Sequence, residues 1–131
     1  MQIRVYYEDT DCGGIVYHSN YLNYCERARS EVFFNAKIPP LQNGIGFVVK
    51  EMHIAFLHPA KLGDLLEVKT ALVEQKGASV KLAQSILREN QEIFKASLTL
   101  VCMDSKTQKI AKIPQWAQEV FNTLPKDDNG K

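Results

Sequence analysis

The hydrophobic pattern of the chain is helical in its first third and strand-like after it. Segment 20–36 carries apolar or small residues three or four positions apart, which predicts one buried face of an α-helix. These residues are Tyr21, Cys25, Ala28, Val32 and Ala36. Ser19 or Asn20 is expected to cap the helix N-terminus. Before the helix, residues 2–7 are rich in β-branched and aromatic side chains and predict a first strand that ends at Tyr7.

Four longer segments follow in which apolar and polar residues alternate. They are residues 46–57, 65–74, 79–88 and 93–103. A period of two is typical of strands, and the short connections favour antiparallel neighbours. In the first of these strands we expect one face to carry Val48, Met52, Ile54 and Phe56. Residues 106–113 form either a short strand or a connection, and Pro114 begins a closing helix.

One long helix and one large antiparallel sheet predict an α+β fold. The strands are about ten residues long, so the sheet is expected to be tall and curved. Residues 1–125 should form a single domain, and residues 126–131 a frayed C-terminal tail. The length of 131 residues is ordinary for one domain with one hydrophobic core.

Composition and charge narrow the function classes. The net charge of +1 argues against a nucleic-acid binder, which usually has a basic surplus. Three separate cysteines without a CxxC motif favour a reducing compartment over a disulfide framework. No run approaches the roughly 20 apolar residues of a membrane span. We therefore expect a cytoplasmic protein.

The segment between the first strand and the helix crowds acids, two glycines and a histidine together. A plain turn is one interpretation, because Asp and Gly are common turn residues. A calcium loop would use Asp9, Asp11 and Gly14, but Asn20 occupies the position where a bidentate Glu is needed. A transition-metal site at Asp11 and His18 lacks a third ligand. We expect neither a metal nor a cofactor.

Two catalytic interpretations of the same segment remain, a cysteine nucleophile and acyl transfer to water. Cys12 with His18 as its base is unfavourable, because catalytic Cys–His pairs usually come from distant segments. Cys12 is therefore expected to be replaceable by Ala or Gly. Acyl transfer to water needs a carboxylate and donors for a developing oxyanion. Asp11 supplies the carboxylate, and the N–H groups at the helix start supply the donors.

Residues 4–31, RVYYEDTDCGGIVYHSNYLNYCERARSE, closely resemble the opening of the YbgC-like acyl-CoA thioesterases. That family has the hot-dog fold, is often linked with the Tol-Pal system and is related to 4-hydroxybenzoyl-CoA thioesterases. Weaker similarity continues through residues 47–68 and 97–104. The resemblance implies a long central helix wrapped by a curved antiparallel sheet. It also implies homo-oligomers, either dimers joined edge to edge or tetramers, with active sites at the dimer interface.

The resemblance assigns site residues one by one. The catalytic carboxylate falls on Asp11, and the oxyanion donor on the backbone N–H of His18. The His18 side chain and Tyr7 match motif positions that would orient substrate or water. The substrate-binding positions are Gly14, Val16 and Tyr17. Cys12 is a departure, since some relatives have Ala or Pro there.

The implied activity is hydrolysis of a fatty or aryl acyl-CoA to the free acid and CoA. Asp11 would act either as general base or as nucleophile, and the sequence leaves both routes open. Two alternatives also stay open: acyl carrier protein as the acyl donor, and a non-catalytic acyl-CoA-binding or scaffold protein. The length of the acyl chain is left open as well.

Overall fold

A computed structural model describes residues 1–127 of the chain. The elements in chain order are β1 (Gln2–Arg4), a 3₁₀ turn (Tyr7–Asp9), α1 (His18–Asn35), β2 (Ile45–Phe56), β3 (Leu65–Lys76), β4 (Ser79–Arg88), β5 (Gln91–Asp104), β6 (Lys109–Ile110) and α2 (Gln115–Asn122). The predicted α+β arrangement is confirmed. Between Asp104 and α2 the chain forms the short strand β6, which was one of the two predicted outcomes.

The strands form one antiparallel sheet in the order β1-β3-β4-β5-β2, and β6 pairs with the end of β5. Register shifts interrupt three of the pairings: β2 with β5, β3 with β4, and β4 with β5. Because such bulges bend and twist strands, they give the sheet its curl. Helix α1 packs against this sheet. The Tyr21 ring stacks on Phe94 of β5 at 5.2 Å, and Gln84 of β4 donates to the Cys25 carbonyl at 3.0 Å.

The predicted buried face of α1 is largely confirmed. Tyr21, Cys25 and Ala28 are buried and belong to the core, whereas Ala36 lies beyond the last helical residue and is exposed. The predicted N-cap is wrong. The helix begins at His18, its N-cap position is Tyr17, and no side chain caps it.

The first strand is shorter than predicted. It ends at Arg4, and Tyr7 begins the 3₁₀ turn instead of ending a strand. The Asp9 carboxylate accepts a hydrogen bond from the backbone N–H of Tyr6 at 2.9 Å. A side chain that bonds a nearby backbone group in this way competes with strand pairing, which accounts for the early end of the strand.

The predicted common face of β2 is also wrong, because a bulge lies between Val49 and Glu51. One extra residue shifts the alternation of side chains between the two faces. Phe47 and Met52 therefore pack against the core, while Val48 is 50% exposed.

The first two residues of the predicted tail pair with the sheet. The Leu72 N–H donates to the Pro125 carbonyl at 2.8 Å, and the Asp127 N–H donates to the Leu72 carbonyl at 2.9 Å. Lys126 forms a parallel bridge with Leu72. Residues 128–131, the rest of that predicted frayed tail, lie outside the described residues.

Candidate active site

The loop that connects the 3₁₀ turn to α1 is a tight turn closed by its own backbone. The Gly14 N–H donates to the Asp11 carbonyl and the Asp11 N–H to the Ile15 carbonyl, each at 3.0 Å. Thr10 and Val16 form an antiparallel bridge at the base of the turn. Gly14 has φ +77°, a conformation that side-chain-bearing residues rarely adopt. The Gly-Gly pair therefore lets the chain reverse directly after Asp11.

A second segment, between β2 and β3, supports this turn. The Val16 N–H donates to the Ala60 carbonyl and the Leu62 N–H to the Gly14 carbonyl, both at 2.9 Å. Ala60 is in turn fixed by its own N–H, which donates to the Tyr21 hydroxyl of α1 at 3.0 Å. The sequence predicted residues 58–64 only as a short connection, so their role in holding the loop was missed.

Asp9 has a structural role in the same region. Its side chain is almost completely buried and accepts from the Tyr6 N–H. Its backbone carbonyl accepts from the Tyr17 N–H at 2.9 Å and from the Asn20 side-chain amide at 2.8 Å. Asp9 thus ties the start of α1 to the turn.

Asp11 is exposed, unlike Asp9. One carboxylate oxygen, Oδ1, accepts from the Gly13 N–H at 2.8 Å. No hydrogen bond or ion pair to its other oxygen occurs within residues 1–127. Asp11 lines a shallow cavity of about 510 Å³ together with Tyr7, Gly14, Leu62 and other loop residues. The carboxylate is therefore oriented by one donor and open to a ligand.

The N-terminus of α1 supplies hydrogen-bond donors on the same loop. No side chain caps the helix, and within residues 1–127 the backbone N–H of His18 has no acceptor. Free N–H groups at a helix N-terminus and the helix dipole both favour a negative charge. The His18 ring lies 4.4 Å from the Tyr17 ring and 6.4 Å from the Phe56 ring. An oxyanion formed at this position would meet donors that are already in place.

The structure brings some of the sequence-predicted residues together and separates others. Tyr7, Asp11 and Gly14 line one cavity, and Tyr7 is 81% exposed. His18 and Tyr17 stand at the helix start, outside that lining. The Val16 side chain is buried in the core, so Val16 contributes to the loop only through the hydrogen bonds of its backbone.

Two chemistries considered for this segment can be compared with the geometry. Among residues 1–127, no three His, Cys, Asp or Glu side chains are grouped so that they could hold a metal ion. Cys12 is exposed beside Asp11 in the cavity lining, and no hydrogen bond between it and His18 is formed in the described part of the chain. No helix within residues 1–127 is long and apolar enough to cross a membrane.

An oriented carboxylate and an uncapped helix N-terminus thus lie on one exposed loop of an α+β fold. The model of the Thioesterase-like superfamily matches residues 5–121, so the chain belongs to that superfamily. An acyl-CoA thioesterase YbgC of Haemophilus influenzae is 38% identical over 126 residues, which are 93% of each chain. The long-chain acyl-CoA thioesterase FadM of Escherichia coli is 35% identical over 95% of this chain and 98% of its own.

Comparison with solved structures agrees with the comparison of sequences. The crystal structure of a probable thioesterase from Bartonella henselae superposes with a TM-score of 0.82 at 33% sequence identity. The match covers 87% of this chain and 97% of that one. The predicted hot-dog fold, a long helix packed against a curled antiparallel sheet, is confirmed, as is the resemblance to the YbgC-like thioesterases.

Proposed function

We propose that this protein hydrolyses acyl-CoA thioesters to a free carboxylic acid and CoA. The observation that supports it most directly is the exposed Asp11 carboxylate, oriented by the Gly13 N–H, on the loop that leads into an uncapped helix. The relatives from Haemophilus influenzae and Escherichia coli, which match nearly the full chain, are named as acyl-CoA thioesterases, which agrees with this chemistry.

In the proposed reaction the thioester carbonyl oxygen accepts from the His18 N–H at the start of α1. Water attacks the carbonyl carbon, Asp11 takes the proton from water, and the carbon–sulfur bond breaks to release CoA. In the alternative route Asp11 attacks first, the carbon–sulfur bond breaks and CoA leaves, and water then hydrolyses the resulting mixed anhydride to release the acid and restore Asp11. Either route places negative charge on the carbonyl oxygen, where removal of one donor typically costs about 10²–10³ in turnover.

The remaining site residues have supporting roles in this proposal. Tyr7 and the His18 ring orient substrate or water, and Gly14 leaves the approach to the thioester open. Tyr17 contacts the substrate beside the helix start, and Val16 acts through its backbone, because its side chain is buried.

Edge-to-edge assembly is part of the same proposal. Strand β2 is at one end of the strand order, and on it Val48, Val49, Ile54 and Phe56 are exposed apolar residues. An unpaired edge with exposed apolar side chains is suited to pairing with a second copy. A dimer or tetramer of this kind would cover the exposed edge of β2. Light scattering after size exclusion measures the assembly, and a monomer would contradict it.

The test of the activity is thiol release from a panel of acyl-CoA esters, from acetyl to palmitoyl and including benzoyl. Wild type and Asp11→Asn are assayed in parallel. Asn keeps an oxygen that can accept from the Gly13 N–H but cannot act as base, so we expect a loss of about 10²–10⁴ in kcat. An unchanged kcat in Asp11→Asn would contradict the assigned role of Asp11.

Two other results would change the proposed function. Hydrolysis of acyl carrier protein esters but not CoA esters would identify the carrier protein as the acyl donor. Binding of acyl-CoA without hydrolysis of either ester would contradict an enzymatic role and support a scaffold. The same purified protein can be used to measure hydrolysis of CoA esters, hydrolysis of carrier-protein esters and binding of acyl-CoA.

A cytoplasmic location is proposed as well, and fractionation of cells tests it.

A further inference from the structure

A groove runs between α1 and β2, away from the helix N-terminus. The His18 ring is 6.4 Å from Phe56 at one end, and the Phe33 ring is 6.2 Å from Phe47 at the other. Helix and strand therefore run side by side in opposite directions. A cavity of about 770 Å³ lies between them, and its lining begins at Leu22, one helical turn after His18.

Most of this cavity's lining is apolar. The main apolar residues are Leu22, Phe33, Phe47, Val49, Met52 and Leu100. Such a lining suits the hydrocarbon part of an acyl group and not the polar nucleotide of CoA. The position of the groove, leading away from the proposed oxyanion site, is where an acyl chain would extend from its thioester.

One cation interrupts the apolar lining. Arg29 of α1 lines the cavity, is partly buried, and donates to the side-chain oxygen of Gln84 at 3.0 Å. Gln84 is buried in the sheet, and its amide nitrogen donates to the Cys25 carbonyl at 3.0 Å and to Thr70 Oγ1 at 2.9 Å. These bonds fix the orientation of the Gln84 amide, which in turn holds the Arg29 guanidinium in one place.

Arg29 has few partners for a partly buried charge. Within residues 1–127 it forms no ion pair, and Gln84 is its one hydrogen-bond acceptor. Glu26 lines the same cavity but is exposed and makes no ion pair with Arg29. A guanidinium carries five N–H donors. Burial lowers the Arg29 pKa. A partly buried guanidinium with most of its N–H donors unused in a mostly apolar lining is well suited to bind an anionic group.

We propose that Arg29 binds a carboxylate at the distal end of the acyl group, so that the preferred substrates are CoA monothioesters of dicarboxylic acids. This inference rests on the proposed thioesterase activity and deepens it. Arg29 is eleven residues after His18, roughly 16 Å farther along the helix axis. The acyl group must therefore be of medium length, because a short one would end before the guanidinium.

The test compares esters that differ only in the distal group. The pairs are octanoyl with suberoyl, decanoyl with sebacoyl, and tetradecanoyl with tetradecanedioyl CoA. We expect wild type to have the higher kcat/KM for the carboxylated member of at least one pair. Arg29→Met should lower kcat/KM for that ester by about 10- to 150-fold, the value of one charge-assisted hydrogen bond. It should leave the uncharged ester unchanged or improved.

Two variants keep this test independent of folding. Arg29→Lys retains the charge and is expected to keep part of the preference, whereas Met removes it. Arg27→Met, on the same helix but exposed and outside the cavity lining, should leave the preference intact. Circular dichroism and the unfolding midpoint of each variant show whether it is folded.

Several outcomes would overturn the inference. One is hydrolysis of both members of every pair at equal rates by wild type, and another is an equal loss for both in Arg29→Met. A third is unchanged selectivity together with dissociation of the oligomer, which would assign Arg29 to an ion pair with a second copy. If no CoA ester of any kind is hydrolysed, the failure lies with the thioesterase activity itself.

Discussion

The turn around Asp11 and the groove beside α1 are held together by different interactions. The turn is fixed by backbone hydrogen bonds, within itself and to Ala60 and Leu62, while most of its side chains are exposed. The end of the groove at Phe33 and Phe47 is held together by side-chain packing. The Phe33 ring meets the rings of Phe47 and Phe121 at 6.2 and 5.3 Å.

Because of this difference, the residues proposed for the reaction are not the residues on which the stability of the fold mainly depends. A side chain on the turn can be exchanged with little loss of packing, because the backbone sets the geometry. A side chain in the groove wall contributes buried area and neighbours, so its loss is felt by the whole fold. We therefore expect substitutions in the turn to change rate, and those in the groove wall to change the free energy of unfolding.

The largest expected effect on stability is at Phe33. Its ring is buried and contacts the rings of Phe47, Trp116 and Phe121. Phe33→Ala should lower the free energy of unfolding by about 3–5 kcal/mol. Asp11→Asn, its counterpart on the turn, should stay within about ±0.5 kcal/mol, since Asp11 is exposed. Urea unfolding of both variants checks the contrast, and similar losses in the two would refute it.

The next largest effect on the free energy of unfolding is expected at two tyrosines of α1. The Tyr21 hydroxyl accepts from the Ala60 N–H at 3.0 Å. The buried Tyr24 hydroxyl makes no hydrogen bond of good geometry within residues 1–127, but burial and the nearby Asp9 carboxylate raise its pKa. Tyr21→Phe leaves a buried N–H unpaired and should cost about 1–3 kcal/mol. Tyr24→Phe should cost less than Tyr21→Phe, because it leaves no backbone N–H unpaired. Because Ala60 supports the turn, Tyr21→Phe should also lower kcat. Equal stabilities of the two variants would contradict this assignment.

Stability should also fall at alkaline pH because of a core thiol. Burial raises the pKa of Cys25 from 9.0 to about 11. The unfolded chain then loses this proton at lower pH than the folded chain. The contribution is complete below pH 9 and is lost as pH rises to about 11, at up to about 1.4 kcal/mol per pH unit. Chemical denaturation from pH 8 to pH 11 measures the slope. Cys25→Ala should reduce the slope but not abolish it, because burial also raises the pKa of Cys102, Tyr21 and Tyr24. An equal slope in both proteins would contradict the prediction.

The smallest effect is expected at Cys12. It is exposed on the turn, whereas Cys25 and Cys102 are buried. Cys12→Ala should change the free energy of unfolding by less than about 0.5 kcal/mol and should retain activity. A thiol reagent should label Cys12 in the native protein and the other two cysteines only after unfolding. A large loss of activity in Cys12→Ala would give Cys12 a chemical role.

The sequence by itself determined the elements and placed the residues proposed for the site in one short segment. Hydrophobic periodicity is a local property, so it predicted α1 and the four long strands to within a few residues. The candidate site could be proposed from the sequence because Asp11, Gly14 and the helix start lie within one short segment, whose turn is closed by its own backbone.

Only the tertiary structure decided what depends on contacts between distant residues. The bulge after Val49, which turns Val48 away from the core, depends on pairing with β5. The support of the turn by Ala60 and Leu62 depends on the packing of a separate loop. The setting of Arg29 depends on Gln84, which is 55 residues away. Such contacts leave no periodic signal in the sequence, because each is created only when the sheet closes against the helix.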